Sequence, residues 1–180
     1  MKKKIPDYAF LLFISGSIII LDQLTKWMVR DNLASEEVWT PWPWLMPYAR
    51  IVNWHNTGIA FGMFQNMNTV FIILAMLVSI GIVYYFPKVP RMDVFLRVAL
   101  AMQLGGAVGN MIDRIHQGFV TDFISLGSFA VFNVADASIS VGVVVLLVGM
   151  YIMDLKQKKL KQSPDPDQAG EPEQATEKTE

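Results

Sequence analysis

The sequence has no cysteine, only two histidines (His55 and His116), and just 17% Asp, Glu, Lys and Arg among its 180 residues. Without cysteine there is no disulfide scaffold. With two histidines and no His-Glu-x-x-His pattern, a catalytic zinc site of the common kind has no ligand set, and no metal or other cofactor is expected. No glycine repeat exists for a collagen-like fibre, and 53% hydrophobic residues exclude a disordered chain. Neither a Gly-rich phosphate-cradling loop nor a continuous basic patch is present, so nucleic acid is not an expected partner. Soluble domains carry about 25% charged residues, so this chain lacks solubilising surface. A membrane protein or an unusually apolar soluble core remains.

What is present is four apolar runs, from Tyr8 to about Trp27, Val70 to Phe86, Phe95 to Ile112 and about Ala135 to Met153. Each is near the ~20 residues a helix needs to cross a ~30 Å hydrocarbon core. The charges inside them are few: Asp22 and Lys26, Arg97, and Asp136. The reading is an all-α membrane protein with four transmembrane helices at about 8–27, 70–86, 95–112 and 135–153. Residues 1–161 form one domain, and residues 162–180, with a net charge of −5 and several prolines, are expected to be a disordered acidic tail without chemistry.

Orientation follows from the basic residues, which are enriched on cytoplasmic flanks. Lys2, Lys3, Lys4, Lys88, Arg91, Arg97, Lys156, Lys158, Lys159 and Lys161 fall on one side, and Lys26, Arg30, Arg50 and Arg114 on the other. Ten against four places both termini in the cytoplasm. The N-terminus has the charge and apolar run of a signal peptide, but no small-x-small cleavage site follows it, and it is read as the first span.

The first outer loop, Met28 to Thr69, holds Trp39, Trp42, Trp44 and Trp54, with Trp27 at its edge. Pro41, Pro43 and Pro47 break helices there, whereas Arg50-Ile-Val-Asn-Trp54 reads as extended. A small β-like platform on the outer leaflet is predicted, with a short outer helix or loop. Taken alone, the Trp residues also fit an aromatic belt that only anchors.

Polar groups concentrate at the second outer loop, Asp113 to Phe132, and at the helix ends beside it. Asn110, Asp113 and Arg114 stand where span three ends, Asp122 lies in the loop, and Asn133 and Asp136 stand where span four begins. Asp22 joins this layer, because it is roughly 21 Å along a helix from Tyr8. Ionisable residues at membrane depth are costly and face a partner or a cavity. Each also has a structural explanation. Asp22 and Lys26 have the i, i+4 spacing of an ion pair, Asp136 suits the first turn of a helix, and Asp113-Arg114 fits an interfacial pair. Gly105, Gly106 and Gly109 hold a GxxxG spacing that signals close helix packing.

No spacing ties Ser125, Ser128 or Ser138 to Lys26, so a Ser–Lys dyad lacks support. Asp122 and Asp136 offer more. Two close carboxylates share a proton, so one can activate water while the other protonates a leaving amine, with no metal or protein nucleophile. Spacing shows only that both reach the outer face. The rival class is a non-enzymatic transporter or lipid-binding protein. Against it, the charges cluster at one interface, no internal repeat occurs, and spans two and four hold almost no polar residue near mid-membrane.

Five strings carry a resemblance: Asp22-Gln-Leu-Thr-Lys26, Asn56-Thr-Gly58-Ile-Ala60-Phe61-Gly62, Gly106-Ala-Val-Gly109-Asn110-Met-Ile-Asp113-Arg114, Val120-Thr-Asp122-Phe123 and Phe132-Asn133-Val-Ala135-Asp136. In this order on a four-span frame, over roughly residues 8 to 153, the chain resembles the lipoprotein signal peptidases (signal peptidase II). The resemblance implies an aspartyl endopeptidase of the bacterial cytoplasmic membrane, with its site at the extracytoplasmic face. Its substrate would be a diacylglyceryl-modified prolipoprotein, cut just before the lipidated cysteine, with membrane lipid as a second partner. Carried over by motif, Asp122 and Asp136 are the catalytic dyad. Asn56, Asn110, Arg114 and Asn133 position the substrate, Asp113 supports the site, and Asp22 and Lys26 are structural or binding residues.

Overall fold

The computed structural model describes residues 5–58 and 67–162. Lys2–Lys4, residues 59–62 of the second motif and residues 163–180 of the expected tail lie outside the described residues. Four long helices, α1 (Ile5–Asn32), α2 (Asn68–Tyr85), α3 (Val94–Gln117) and α4 (Val134–Gln162), carry a three-stranded antiparallel sheet at one end. Asp7–Asn32, Asn68–Lys88, Val94–Gln117 and Val134–Lys158 are each long and apolar enough to cross a membrane. The strands β1 (Val38–Trp39), β2 (Ala49–Asn56) and β3 (Val120–Leu126) lie in the order β1-β2-β3.

Helix α3 is the hub and packs on α1, α2 and α4. Lipid tails are as apolar as leucine, so helices associate in a membrane through close packing rather than through burial from water. Small residues make that approach possible. A Cβ on Gly105 would lie 2.8 Å from Cβ of Ile18 on α1, and one on Gly106 would lie 2.5 Å from the Ala135 carbonyl oxygen on α4. The GxxxG reading holds on both faces of α3. An apolar cluster of Leu11, Ile82, Phe86, Ala101 and Leu104 fills the bundle away from the sheet.

Charge inside the third span is neutralised locally. Arg97 pairs with Asp7 at 2.9 Å, its guanidinium stands 4.5 Å over the Phe86 ring, and it donates to the Val89 carbonyl at 3.3 Å. This contact puts the first turns of α1 and α3 at the same end of the bundle, opposite the sheet.

Helix ends aim the chain at the site. Asp93 caps α3 by accepting from the Leu96 N–H at 3.1 Å. Gly118 closes α3 at φ 82°, a left-handed position that suits glycine, and the chain enters β3 two residues later. Asn133 and Asp136 form a reciprocal capping box: the Asn133 carboxamide oxygen accepts the Asp136 N–H at 2.9 Å, and the Asp136 carboxylate accepts the Asn133 N–H at 3.3 Å.

The helices outrun the apolar runs that announce them. α1 continues to Asn32 and α3 to Gln117, so Arg30, Asp113 and Arg114 are helical residues rather than loop residues. α4 includes Gln162, which the sequence assigned to the tail. The extended stretch predicted at Arg50–Trp54 lies inside β2, which pairs with β3. Asp122 therefore sits on a strand, where the sequence suggested an open loop. Trp42 and Trp44 stack at 6.1 Å where β1 turns into β2, beside a 3₁₀ turn at Pro43–Leu45, and both are exposed.

Candidate active site

At the sheet end the burial pattern inverts. Among the described residues the largest fully buried side chains there are polar or charged: Asp22, Lys26, Asp113, Thr121, Asp122, Ser125 and Asn133. A cavity of about 470 Å³ opens beside them, lined by Asn56, Asn110, Arg114, Asp122 and Asp136, with Phe129–Phe132 on one flank and Ile139–Val141 of α4 on another. Both carboxylates of the expected dyad therefore face one space.

Each reaches it from a rigid element. β3 carries Asp122, whose register partner on β2 is Trp54. Asp136 lies in the first turn of α4, where the helix dipole favours a negative charge. All four carboxylate oxygens have a donor. Asn56 Nδ2 donates to Asp122 Oδ2 at 2.8 Å and Asn133 Nδ2 to Asp122 Oδ1 at 2.6 Å. Asn110 Nδ2 donates to Asp136 Oδ1 at 2.7 Å, and the Asn133 N–H supplies Oδ2 through the capping box. Burial, and then the charge of Asp136, push the Asp122 carboxyl up to about 7 against the pull of the Asn56 and Asn133 bonds and the Lys26 charge. A carboxyl that keeps its proton to near neutrality can act as an acid.

The remaining expected residues fall into two groups. Arg114 lines the cavity; its Nη2 donates to the Gly58 carbonyl at 3.0 Å and its guanidinium stands 5.0 Å over Phe71. Asp22, Lys26 and Asp113 lie behind these two carboxylates. The Lys26 ammonium is 2.8 Å from Asp22 and 3.0 Å from Asp113, with all three side chains at most 1% exposed. The Asp22–Lys26 ion pair thus forms. The Asp113–Arg114 pair does not, since Asp113 faces Lys26, lies 3.6 Å from Arg30 and accepts the Thr121 N–H at 3.1 Å.

Gln23, Arg30 and Thr121 belong to this layer and escaped the sequence reading. Gln23 Nε2 bridges Asp22, the Gly109 carbonyl and Asp113 at 3.1–3.2 Å. Arg30 donates to the Thr121 hydroxyl at 3.1 Å. A signal for Arg30 existed: Asp22, Lys26 and Arg30 recur every four residues, which sets them on one face of α1. Among the described residues no group of three or more His, Asp or Glu side chains is arranged to hold a metal ion.

Four membrane-length helices carry two amide-bound carboxylates over one cavity, the layout of a membrane-embedded enzyme. Residues 14–152 match the family model described as signal peptidase (SPase) II. The lipoprotein signal peptidase of Halalkalibacterium halodurans is 40% identical over 80% of this chain and 93% of its own. That of Staphylococcus aureus (strain JH9) is 31% identical over 84% and 93%. A solved structure described as a bacterial membrane enzyme determined by the in meso method at 2.3 Å resolution superposes with a TM-score of 0.74, at 29% identity over 86% of this chain and 93% of that one. The chain belongs to the signal peptidase II family, a family of membrane proteases.

Proposed function

We propose that this protein removes the signal peptide from diacylglyceryl-modified prolipoproteins, cutting before the lipidated cysteine, with Asp122 and Asp136 as the catalytic dyad. The observation that carries the reading is that both carboxylates line one cavity and every one of their oxygens is held by a donor. Family membership supplies the substrate class.

The dyad holds one shared proton, because two buried neighbouring carboxylates do not both ionise cheaply. The ionised member takes a proton from water as that water attacks the scissile carbonyl carbon, and the protonated member gives its proton to the carbonyl oxygen. As the tetrahedral diol collapses, the carboxyl that took the water proton gives it to the leaving amine, the C–N bond breaks, and the other carboxylate recovers a proton from a diol hydroxyl. No covalent enzyme intermediate forms. Arg114 and Asn56 at the cavity wall orient the substrate backbone. The cavity extends along Ile139–Val141 of the fourth span, so a signal helix enters from the bilayer while the acyl chains stay in lipid.

The distribution of Lys and Arg supports cytoplasmic termini and a site at the outer face of the bacterial cytoplasmic membrane. Residues 1–161 act as one peptidase domain, and the acidic tail has no part in the chemistry. The test is gel-shift cleavage of a purified diacylglyceryl-modified prolipoprotein by wild type, Asp122→Asn and Asp136→Asn. Cleavage by wild type alone is expected. Turnover that survives either substitution removes the dyad, and no cleavage by folded wild type removes the peptidase reading.

A further inference from the structure

Lys26 takes no proton in this scheme, yet its ammonium reaches the dyad through a single amide. Its side chain is 0% exposed, and its third contact, beside those to Asp22 and Asp113, is donation to Oδ1 of Asn110 at 2.9 Å. An ammonium has three hydrogens and no lone pair, so any group facing it must accept. A carboxamide has one accepting end and one donating end. With its oxygen held by Lys26, Asn110 turns its NH2 toward Asp136, where Nδ2 donates to Oδ1 at 2.7 Å. The inverted amide would set oxygen against carboxylate.

The two asparagines of the dyad are held differently. The carboxamide oxygen of Asn133 takes a backbone N–H in the α4 cap, and this fixes its NH2 toward Asp122 and Asn110. The oxygen of Asn110 is held by Lys26 together with a longer, neutral bond of 3.1 Å from Asn133. A bond from a charged donor is the stronger of the two. Helix α1 also grips the other side of the dyad: Asp22 Oδ1 accepts the Ala135 N–H at 2.9 Å, one residue before Asp136.

Resting on the dyad assignment above, we propose that Lys26 is a positioning residue for hydrolysis: it locks the Asn110 carboxamide in the orientation that donates to Asp136 and thereby aims that carboxylate at the scissile bond. This explains why a cation, rather than an amide or a hydroxyl, occupies the position. Glutamine or serine can offer either a donor or an acceptor and would leave Asn110 free to turn. Asp22 and Asp113 make the buried cation tolerable, and Arg30, 3.6 Å from Asp113, completes the charge balance.

The experiment compares wild type, Lys26→Met, Lys26→Gln, Lys26→Arg and Arg97→Met in a micellar cleavage assay on a diacylglyceryl-modified prolipoprotein. Thermal unfolding is measured on the same preparations, and Asp122→Asn is the inactive reference. Lys26→Met is expected to lower kcat by roughly 10- to 100-fold with KM less affected, because Asn56 and Arg114 at the cavity wall keep their places. Lys26→Gln should do the same. Lys26→Arg, which is again a donor without an acceptor, should recover most of the lost kcat. Arg97→Met breaks the buried ion pair with Asp7 at the far end of the bundle, and should lower Tm while keeping kcat.

A purely structural Lys26 predicts the opposite: kcat per folded molecule tracks Tm across the series, and Arg97→Met falls in line with the others. That pattern, or full kcat in Lys26→Met or Lys26→Gln, overturns the proposal. If Lys26→Met does not accumulate, Lys26→Gln and Lys26→Arg decide it, and equal kcat in those two refutes the lock. Cleavage by Asp122→Asn is a separate failure, that of the dyad reading itself.

Discussion

Asn56→Ala tests the electrostatics of the site directly. Asn56 Nδ2 donates to Asp122 Oδ2 at 2.8 Å, while its carboxamide oxygen accepts the Gly58 N–H at 3.0 Å. Burial and the Asp136 charge raise Asp122 to about 7, and the Asn56 bond is first among the influences that hold it back. A hydrogen bond to a charged group contributes roughly 1.5–3 kcal/mol, and one pKa unit is about 1.4 kcal/mol. Removing this donor therefore raises the Asp122 carboxyl by roughly one to two units. The alanine leaves room for water at the cavity wall, which favours the smaller figure. In the proposed mechanism the active dyad holds one proton, so activity ends on the alkaline side where that proton leaves. The alkaline limb of kcat should move from near 7 in wild type to roughly 8 or above in Asn56→Ala. The assay is initial-rate cleavage of a fluorescent diacylglyceryl lipopeptide at saturating substrate, from about pH 5 to about pH 9. The variant's plateau will be lower because the β2–β3 contact loosens, but the limb position does not depend on plateau height. A limb that stays in place, or moves toward acid, refutes the reasoning.

Asp122→Asn should be inactive and yet more stable than wild type at alkaline pH. A carboxyl whose folded value is about 7 against 3.8 for the free group binds its proton more tightly in the native state. It stabilises the fold fully below about pH 4, and that contribution fades as pH rises through 7. At pH 8 the wild type carries a buried carboxylate at a cost of at most about 4 kcal/mol. The Tm of wild type should fall across this range and that of the variant should stay flatter; parallel curves would contradict it. Gly106→Ala forces a Cβ to 2.5 Å from the Ala135 carbonyl oxygen and 2.7 Å from Ser138 Oγ, whereas Gly16→Ala meets nothing within 4 Å. Overpacking of this kind costs about 1–3 kcal/mol and shifts the α4 turn that holds Asp136. Lower Tm and lower kcat are expected for Gly106→Ala only, and equal behaviour of the two variants would show that α3–α4 contact does not set the site.

The spans and the polar layer are legible because a membrane imposes coarse rules. Apolar runs of about 20 residues mark helices, and an ionisable residue inside one of them needs a partner. Asp22, Lys26 and Asp136 stand out on that ground alone, with Asn110 and Asn133 beside them, whereas Asp122 joins them only through the polar outer loop between the third and fourth spans. β3 does not stand out. Its residues Val120–Phe123 are buried on both faces, so the alternation that reveals a half-exposed strand is missing, and a carboxylate at Asp122 breaks the apolar pattern further. Partner choice is also hidden. Asp113 and Arg114 are neighbours in sequence, yet successive residues on a helix point about 100° apart. The acid meets Lys26 and Arg30 on α1, and the guanidinium turns toward Gly58 and Phe71. Gln23 reads as one more polar residue until α3 is placed beside it.

The two ends of the bundle divide the work. Away from the sheet, Leu11, Phe86, Leu104 and their neighbours pack without polar demands, and the buried charges Arg97 and Asp7 answer each other. At the sheet end the chain buries three carboxylates, an ammonium and two carboxamides within one layer. Buried ion pairs are poor sources of stability, because the desolvation of each charge offsets the attraction between them. A bundle selected for stability alone would fill this layer with aliphatic side chains. What the polar layer supplies is direction: donor-only groups against acceptor-only groups leave few alternative arrangements, and each amide has one orientation that satisfies its neighbours. The proposed hydrolysis by two carboxylates needs that definition, since in it neither residue bonds covalently to the substrate and rate depends on where the oxygens point. The stability forgone at one end of the helices is carried by close packing at the other and along α3.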